Sequence, residues 1–141
     1  MKLSISEIIN KATTLKTKSE KVEWLKQHDT LALKMILQST YDKKRVQWLL
    51  PDVPPPWKKN EYEDQAKTLL YSEARRLKIF IKGGGYDDMK QTKREQLFIS
   101  LLEDIDNDDA HMLANHSIMQ KPFKGLTTKT INEAFPGLIS E

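Results

Sequence analysis

Apolar residues recur at three- and four-residue steps along most of this chain, and small polar residues stand just ahead of those runs. Ser4-Ile5-Ser6-Glu7 has the capping-box form, in which hydroxyl and carboxylate satisfy free backbone donors. Ile5, Ile8, Ile9, Ala12 and Leu15 come next at helical spacing and predict a first helix over about residues 5–15. Thr17-Lys18-Ser19-Glu20 repeats the capping signal, with Val22 and Leu25 on the buried side of a short second helix and Trp24 flanking. His28-Asp29 breaks it. Asp29 or Thr30 can cap a third helix, whose Leu33, Ile36 and Leu37 share a face. Leu31 and Met35 make this helix apolar on more than one side, which predicts a central position.

After Tyr41 the character changes. Tyr41-Asp42-Lys43-Lys44-Arg45 reads as a basic turn and Val46–Leu50 as one short extended stretch. Pro51-Asp52-Val53-Pro54-Pro55-Pro56-Trp57 fixes φ and removes backbone donors, so about 51–59 is a stiff connector inside a single domain of residues 1–141. Asn60 can cap the longest helix, about 61–82, carrying Leu69, Leu70, Ala74, Leu77 and Ile81, and Gly83-Gly84-Gly85 ends it in a turn. Thr92-Lys93-Arg94-Glu95 is a further capping box ahead of Leu97, Phe98, Leu101, Leu102 and Ile105. The next helix spans about 107–118 with Met112, Leu113 and Ile118 inward. Pro122 interrupts the chain, Thr127 or Thr128 starts a short last helix to about Ala134, and Pro136-Gly137 closes it. No segment sustains the period-two alternation of a strand. The expectation is an all-α fold of about six or seven helices.

Composition removes several function classes. There is no cysteine, which excludes disulfides, thiolate metal sites and cysteine nucleophiles. No run of about 18 apolar residues predicts a membrane span. Glu7 within the first apolar pattern, and no small-residue cleavage site after it, argue against a signal peptide. A cytoplasmic protein is expected. The net charge of +3 is a weak pointer to nucleic acid by itself. Five acids gather at Glu103, Asp104, Asp106, Asp108 and Asp109, so the remainder is more clearly basic.

Several segments resemble one family in order. Ile8-Ile9-Asn10, then Thr17-Lys18-Ser19-Glu20-Lys21 and a run ending Leu31-Ala32-Leu33-Lys34, are similar to the opening helices of phage ATP-dependent DNA ligases. Thr40-Tyr41, a basic turn, an aromatic-apolar patch and a proline are similar to the next stretch of those ligases. Leu101-Leu102-Glu103-Asp104-Ile105, then Lys124-Gly125-Leu126-Thr127-Thr128-Lys129-Thr130-Ile131-Asn132-Glu133-Ala134-Phe135-Pro136-Gly137-Leu138-Ile139, resembles the end of the ligase N-terminal DNA-binding domain. The resemblance implies that this last region lies against DNA backbone. Ligases continue into a nucleotidyltransferase domain with a Lys-x-Asp-Gly lysine. This sequence holds no such motif and reaches Glu141 where that domain would start. The expectation is therefore a stand-alone, non-catalytic phage protein with no nucleotide cofactor, in the host cytoplasm. The acids around 103–109 precede a stretch that the family pattern lacks.

The candidate DNA-binding residues fall in three groups. Lys124, Gly125, Thr127, Thr128, Lys129, Thr130 and Asn132 surround the start of the last helix, where unpaired N–H groups, hydroxyls and charge suit a phosphate. Lys43, Lys44 and Arg45 form the densest basic turn. Lys58 and Lys59 stand beside Trp57, a pairing suited to backbone contact with stacking. Arg75, Arg76, Lys78 and Lys82 extend such a face. Lys82-Gly83-Gly84-Gly85 lacks the Gly-Lys-Ser/Thr ending of a phosphate loop. The acids from 104 lack the glycine and the twelfth-position acid of a calcium loop, placing Asp109 and Asn115 there instead. His111 and His116 are five apart, not the four that puts two ligands on one α-helical face, so no metal is expected.

Two readings stay open. One is a non-catalytic accessory protein that grips double-stranded DNA through its phosphates. The other is an adaptor or small structural subunit of a phage assembly, with Trp57 as the point of attachment for a phage or host protein.

Overall fold

A computed structural model describes residues 3–50, 57, 74–105 and 107–140. The predicted capping residues set the N-terminal elements. Helix α1 runs Ile5–Thr14 from a complete Ser4–Glu7 capping box. Helix α2 is Lys18–Gln27, with the Thr17 hydroxyl accepting from the Glu20 N–H. Helix α3 is Leu31–Tyr41, and of the two candidates Thr30 is its cap. Helix α4 is Gln91–Asp104. Helix α5, Asn107–Met112, runs on into a π-helical turn over Leu113–Ser117. Helix α6 is Thr128–Ala134, capped by Thr127. The fold is all-α. Among the described residues the sole extended pairing is one isolated bridge, and no helix is long and apolar enough to cross a membrane.

Helix α3 lies at the centre. It packs on the π turn and on the segment Ala74–Phe80, while α1 packs on α2 and α5, and α2 on α6. Its Leu33, Ile36 and Leu37 have no exposed surface. Its last turn buries polar groups and satisfies them. The Thr40 hydroxyl donates to the Ile36 carbonyl (2.7 Å) and lies 2.8 Å from the Ser117 hydroxyl. The Trp48 indole N–H reaches the Ser39 carbonyl (2.9 Å). Phe80 and Phe98 meet edge to face, 5.2 Å between centroids, and join α4 to this core.

Two expectations need correction. The long helix predicted over 61–82 lies outside the described residues as far as 73, and its last part, Ala74–Phe80, is a 3₁₀ helix. The three-residue period puts Leu77 and Phe80, both fully buried, in one line. The Phe80 carbonyl accepts from the Leu49 N–H (2.7 Å) and the Lys82 N–H donates to the Gln47 carbonyl (2.9 Å). The predicted extended stretch thus meets the end of this segment at the Trp48–Ile81 bridge. Thr92, predicted as a cap, sits inside α4, which starts at Gln91 with no side-chain cap. Arg94 sets that start instead. It is buried and its guanidinium holds the carbonyls of Tyr86 (2.8 Å) and Asp87 (3.2 Å) and the Gln91 side chain (2.6 Å).

One member of the acidic run lies inside the fold. Asp109 is buried, and its carboxylate accepts from the Ser6 N–H at 2.8 Å, across 103 positions of sequence. That N–H is one of the four at the start of α1 with no partner inside the helix. Asp109→Ala is expected to lower stability by about 1–3 kcal/mol, because it removes an acceptor and strands a buried donor. Urea denaturation should show a lower midpoint with an unchanged m-value.

Candidate nucleic-acid interface

The end of α3 gathers the two described candidate segments. The Tyr41 hydroxyl donates to the Leu126 carbonyl (2.6 Å) and accepts from the Phe123 N–H (2.8 Å). Asp42, fully buried at its side chain, accepts from the Ser140 N–H (2.9 Å), the Arg45 N–H (3.1 Å) and the Arg45 guanidinium (2.7 Å). Arg45 in turn donates to the carbonyls of Gly137 (3.2 Å) and Leu138 (3.0 Å). The basic turn and the C-terminal segment therefore lie side by side.

This network divides the candidate residues. Lys43, Lys44, Lys124, Lys129 and Thr127 are exposed, with Thr128 half-buried. Among the described residues Lys43, Lys124 and Lys129 form no ion pair. Arg45 is exposed but committed to the clamp. Thr130 is buried, its N–H donating to the Thr127 hydroxyl (3.2 Å) and the two hydroxyls 2.9 Å apart. The Asn132 carboxamide exchanges two hydrogen bonds with the Ile139 backbone, at 3.0 and 2.9 Å. These last two side chains close the fold and have little left for a phosphate.

Gly125 also has a packing reason. Its φ is +89°, and a Cβ there would stand 3.0 Å from the Thr13 carbonyl oxygen. The Lys21 ammonium donates to the Gly125 carbonyl, and Lys18 pairs with Glu133 at 2.6 Å. Glycine thus lets residues 123–126 close against the ends of α1 and α2.

Lys58 and Lys59 lie outside the described residues. Trp57 is half-buried against the core and meets His111 edge-on at 5.3 Å, with no hydrogen-bond partner for its indole N–H among the described residues. The Gly83 N–H donates to both Asp87 carboxylate oxygens, at 2.9 and 3.1 Å, so a carboxylate of the chain itself occupies the glycine turn. Among the described residues no group of three metal-ligating side chains comes together.

Sequence spacing missed a second feature. The π turn changes the period between α5 and Ile118, and His111 and His116 both line one cleft of about 290 Å³ with Asn10, Asp108, Asn115, Met112 and Phe123. Five residues is a poor match to an α-helical turn but a close one to a π turn, whose hydrogen bonds run from i to i+5. The Ile118 N–H bonded to the Leu113 carbonyl (3.1 Å) is such a bond.

A family of unknown function, DUF6433, matches residues 8–121. The chain belongs to that family. No curated protein and no solved structure matches it. The DUF6433 match takes in most of α1 and runs through the π turn, stopping two residues short of Phe123. The clamp between Tyr41, Asp42 and residues 123–140 therefore joins the matched region to the segment beyond it.

Both clamp residues are electrostatically marked. Burial pushes the Tyr41 hydroxyl up to about 12, against a smaller opposing effect of the Phe123 backbone. Burial alone would raise the Asp42 carboxyl, but the donors from Ser140 and Arg45 outweigh it and hold the group below the usual carboxylate range. The neutral Tyr41 phenol is thus favoured in the folded state. Its contribution to stability is complete below about pH 10 and is lost as pH rises towards 12. Tyr41→Phe should be less stable than the parent at pH 8. The gap should shrink by roughly 2 kcal/mol between about pH 10 and 12, as read by urea denaturation at each pH.

Proposed function

We propose that this protein is a non-catalytic DNA-binding protein that grips duplex phosphate backbone. The observation that supports this reading most directly is the side-by-side placement of two exposed lysine segments. Lys43 and Lys44 leave the end of α3, and Lys124 and Lys129 flank the start of α6. Tyr41, Asp42 and Arg45 tie both segments to the same framework. Lysines held on a fixed framework meet phosphates at a lower entropic cost than lysines on a free tail. Lys16 and Lys121, also exposed, extend the same charge along the α1–α2 corner and the segment before Phe123. The resemblance of residues 124–139 to the end of the ligase DNA-binding domain supports the same surface.

Phosphate contacts carry no sequence information, so binding is expected to depend strongly on salt and weakly on sequence. Fluorescence anisotropy with intact duplex, nicked duplex and single-stranded DNA at about 50 and 200 mM salt would read both properties. A combined Lys43→Ser, Lys124→Ser, Lys129→Ser variant should weaken binding to every sequence alike. It should flatten the salt slope by about one unit for each phosphate no longer neutralised. No binding by the parent protein at the lower salt would overturn the reading.

A further inference from the structure

The cleft beside the π turn has the composition of a site for a planar, hydrogen-bonding ring. Its volume of about 290 Å³ is at the small end of ligand pockets, which start near ~300 Å³. Ile9, Met112 and Phe123 supply its apolar surface. Ring contacts lead into it. Tyr41 lies 6.2 Å from Phe123 at 34° between planes, and Phe123 lies 4.6 Å from His116 at 25°. Phe123 is buried and His116 is half-exposed, so the sequence of rings ends at the cleft.

The polar groups narrow the ligand. His116 Nδ1 lies 3.2 Å from the Lys121 carbonyl, which can only accept, so Nδ1 donates to it and the ring is held in place at the edge of the cleft. Asn10 and Asn115 are exposed at the rim, and each carboxamide offers a donor and an acceptor side by side. Carboxamides in this form match the edges of nucleobases, and stacked rings match their faces. Asp108, also lining the cleft, disfavours an anion inside it. Lys121 and Lys124, both exposed, stand on either side of Phe123 in the chain, outside the cleft, where a phosphate is favoured.

We infer that the cleft takes one unstacked nucleobase, seated against His116 and read by Asn10 and Asn115, with the adjoining phosphates on Lys121 and Lys124. That the base belongs to a strand rests on the proposed grip on DNA backbone. A free nucleotide carries the same ring and phosphate chemistry.

The test compares three probes on the full chain. They are an oligo-deoxyadenylate of about 12 nucleotides, an abasic strand of equal length and charge, and free adenosine 5′-monophosphate. Anisotropy should show the base-bearing strand binding at least about fivefold tighter than the abasic one, the lower end of stacking by a single base. Asn115→Ala and His116→Ala should each remove part of that excess and leave abasic binding unchanged. Because Asn115 is exposed, its variant keeps the test sound if loss of His116 disturbs the fold. Adenosine monophosphate should shift the NMR signals of His116, Asn115 and Asn10. Equal binding of both strands without those shifts would overturn the cleft and leave the backbone grip intact. An excess that survives both substitutions would also overturn it. Shifts with the nucleotide but no binding of either strand would support the cleft, with a free nucleotide as its ligand. No response to any probe would overturn the cleft, while binding of duplex DNA at low salt decides the backbone grip separately.

Discussion

Two adjacent side chains at the end of α3, Tyr41 and Asp42, hold together parts of the chain about 80 to 100 positions apart. The residues they hold could not hold themselves. Helix α6 has seven residues, and isolated helices are marginal below about 12–15. Its stability comes from packing on α2, from the Lys18–Glu133 pair, and from the turns on either side being tied down. The Tyr41 phenol fixes the turn before α6. Asp42 and Arg45 fix the tail after it, and Asn132 ties that tail back to α6 at Ile139. The buried carboxylate of Asp42 is tolerated because three donors converge on it.

The same arrangement explains why the exposed charge is where it is. A hydrogen-bonding group spent on the backbone is not available to a phosphate at the same time. Arg45, Thr130 and Asn132 are used inward, and the lysines near them in sequence are left outward. The surface that results is lysine-rich, set on a rigid base, and bordered by a cleft of different chemistry. Phe123 links the two, since its N–H belongs to the clamp and its ring to the cleft.

The helical architecture was legible where local chemistry decides it. Ser4, Thr17, Thr30 and Thr127 cap the helices that their spacing predicts, and Leu33, Ile36 and Leu37 are buried as a helical face requires. Local chemistry failed where a distant group decides. Thr92 reads as a cap, yet Arg94 reaching back to Tyr86 and Asp87 sets the start of α4. Asp109 stands in a run of five acids in the sequence, yet it is buried and serves the first turn of α1. Of the candidate site, the exposed lysines were legible from composition. The inward use of Thr130 and Asn132 was not, because it depends on how the chain returns, with Ile139 back against α6. That the two histidines share a cleft was not legible, because an α-helical period was applied to a stretch that forms a π turn.

The long reach of the closing bonds bears on the order in which the molecule can assemble. Helices α1 and α3 each leave a group waiting for a partner far along the chain, Ser6 for Asp109 and Asp42 for Ser140. Contacts of such separation are slow to form, since the loop between them must close before they stabilise anything. On the ribosome, α1 to α3 would emerge with much of their apolar surface uncovered. They would stay so until residues 109 and then 140 have cleared the exit tunnel. Closure of these helices thus waits on synthesis of the segments that carry Asp109 and Ser140, and their apolar faces need shielding until then.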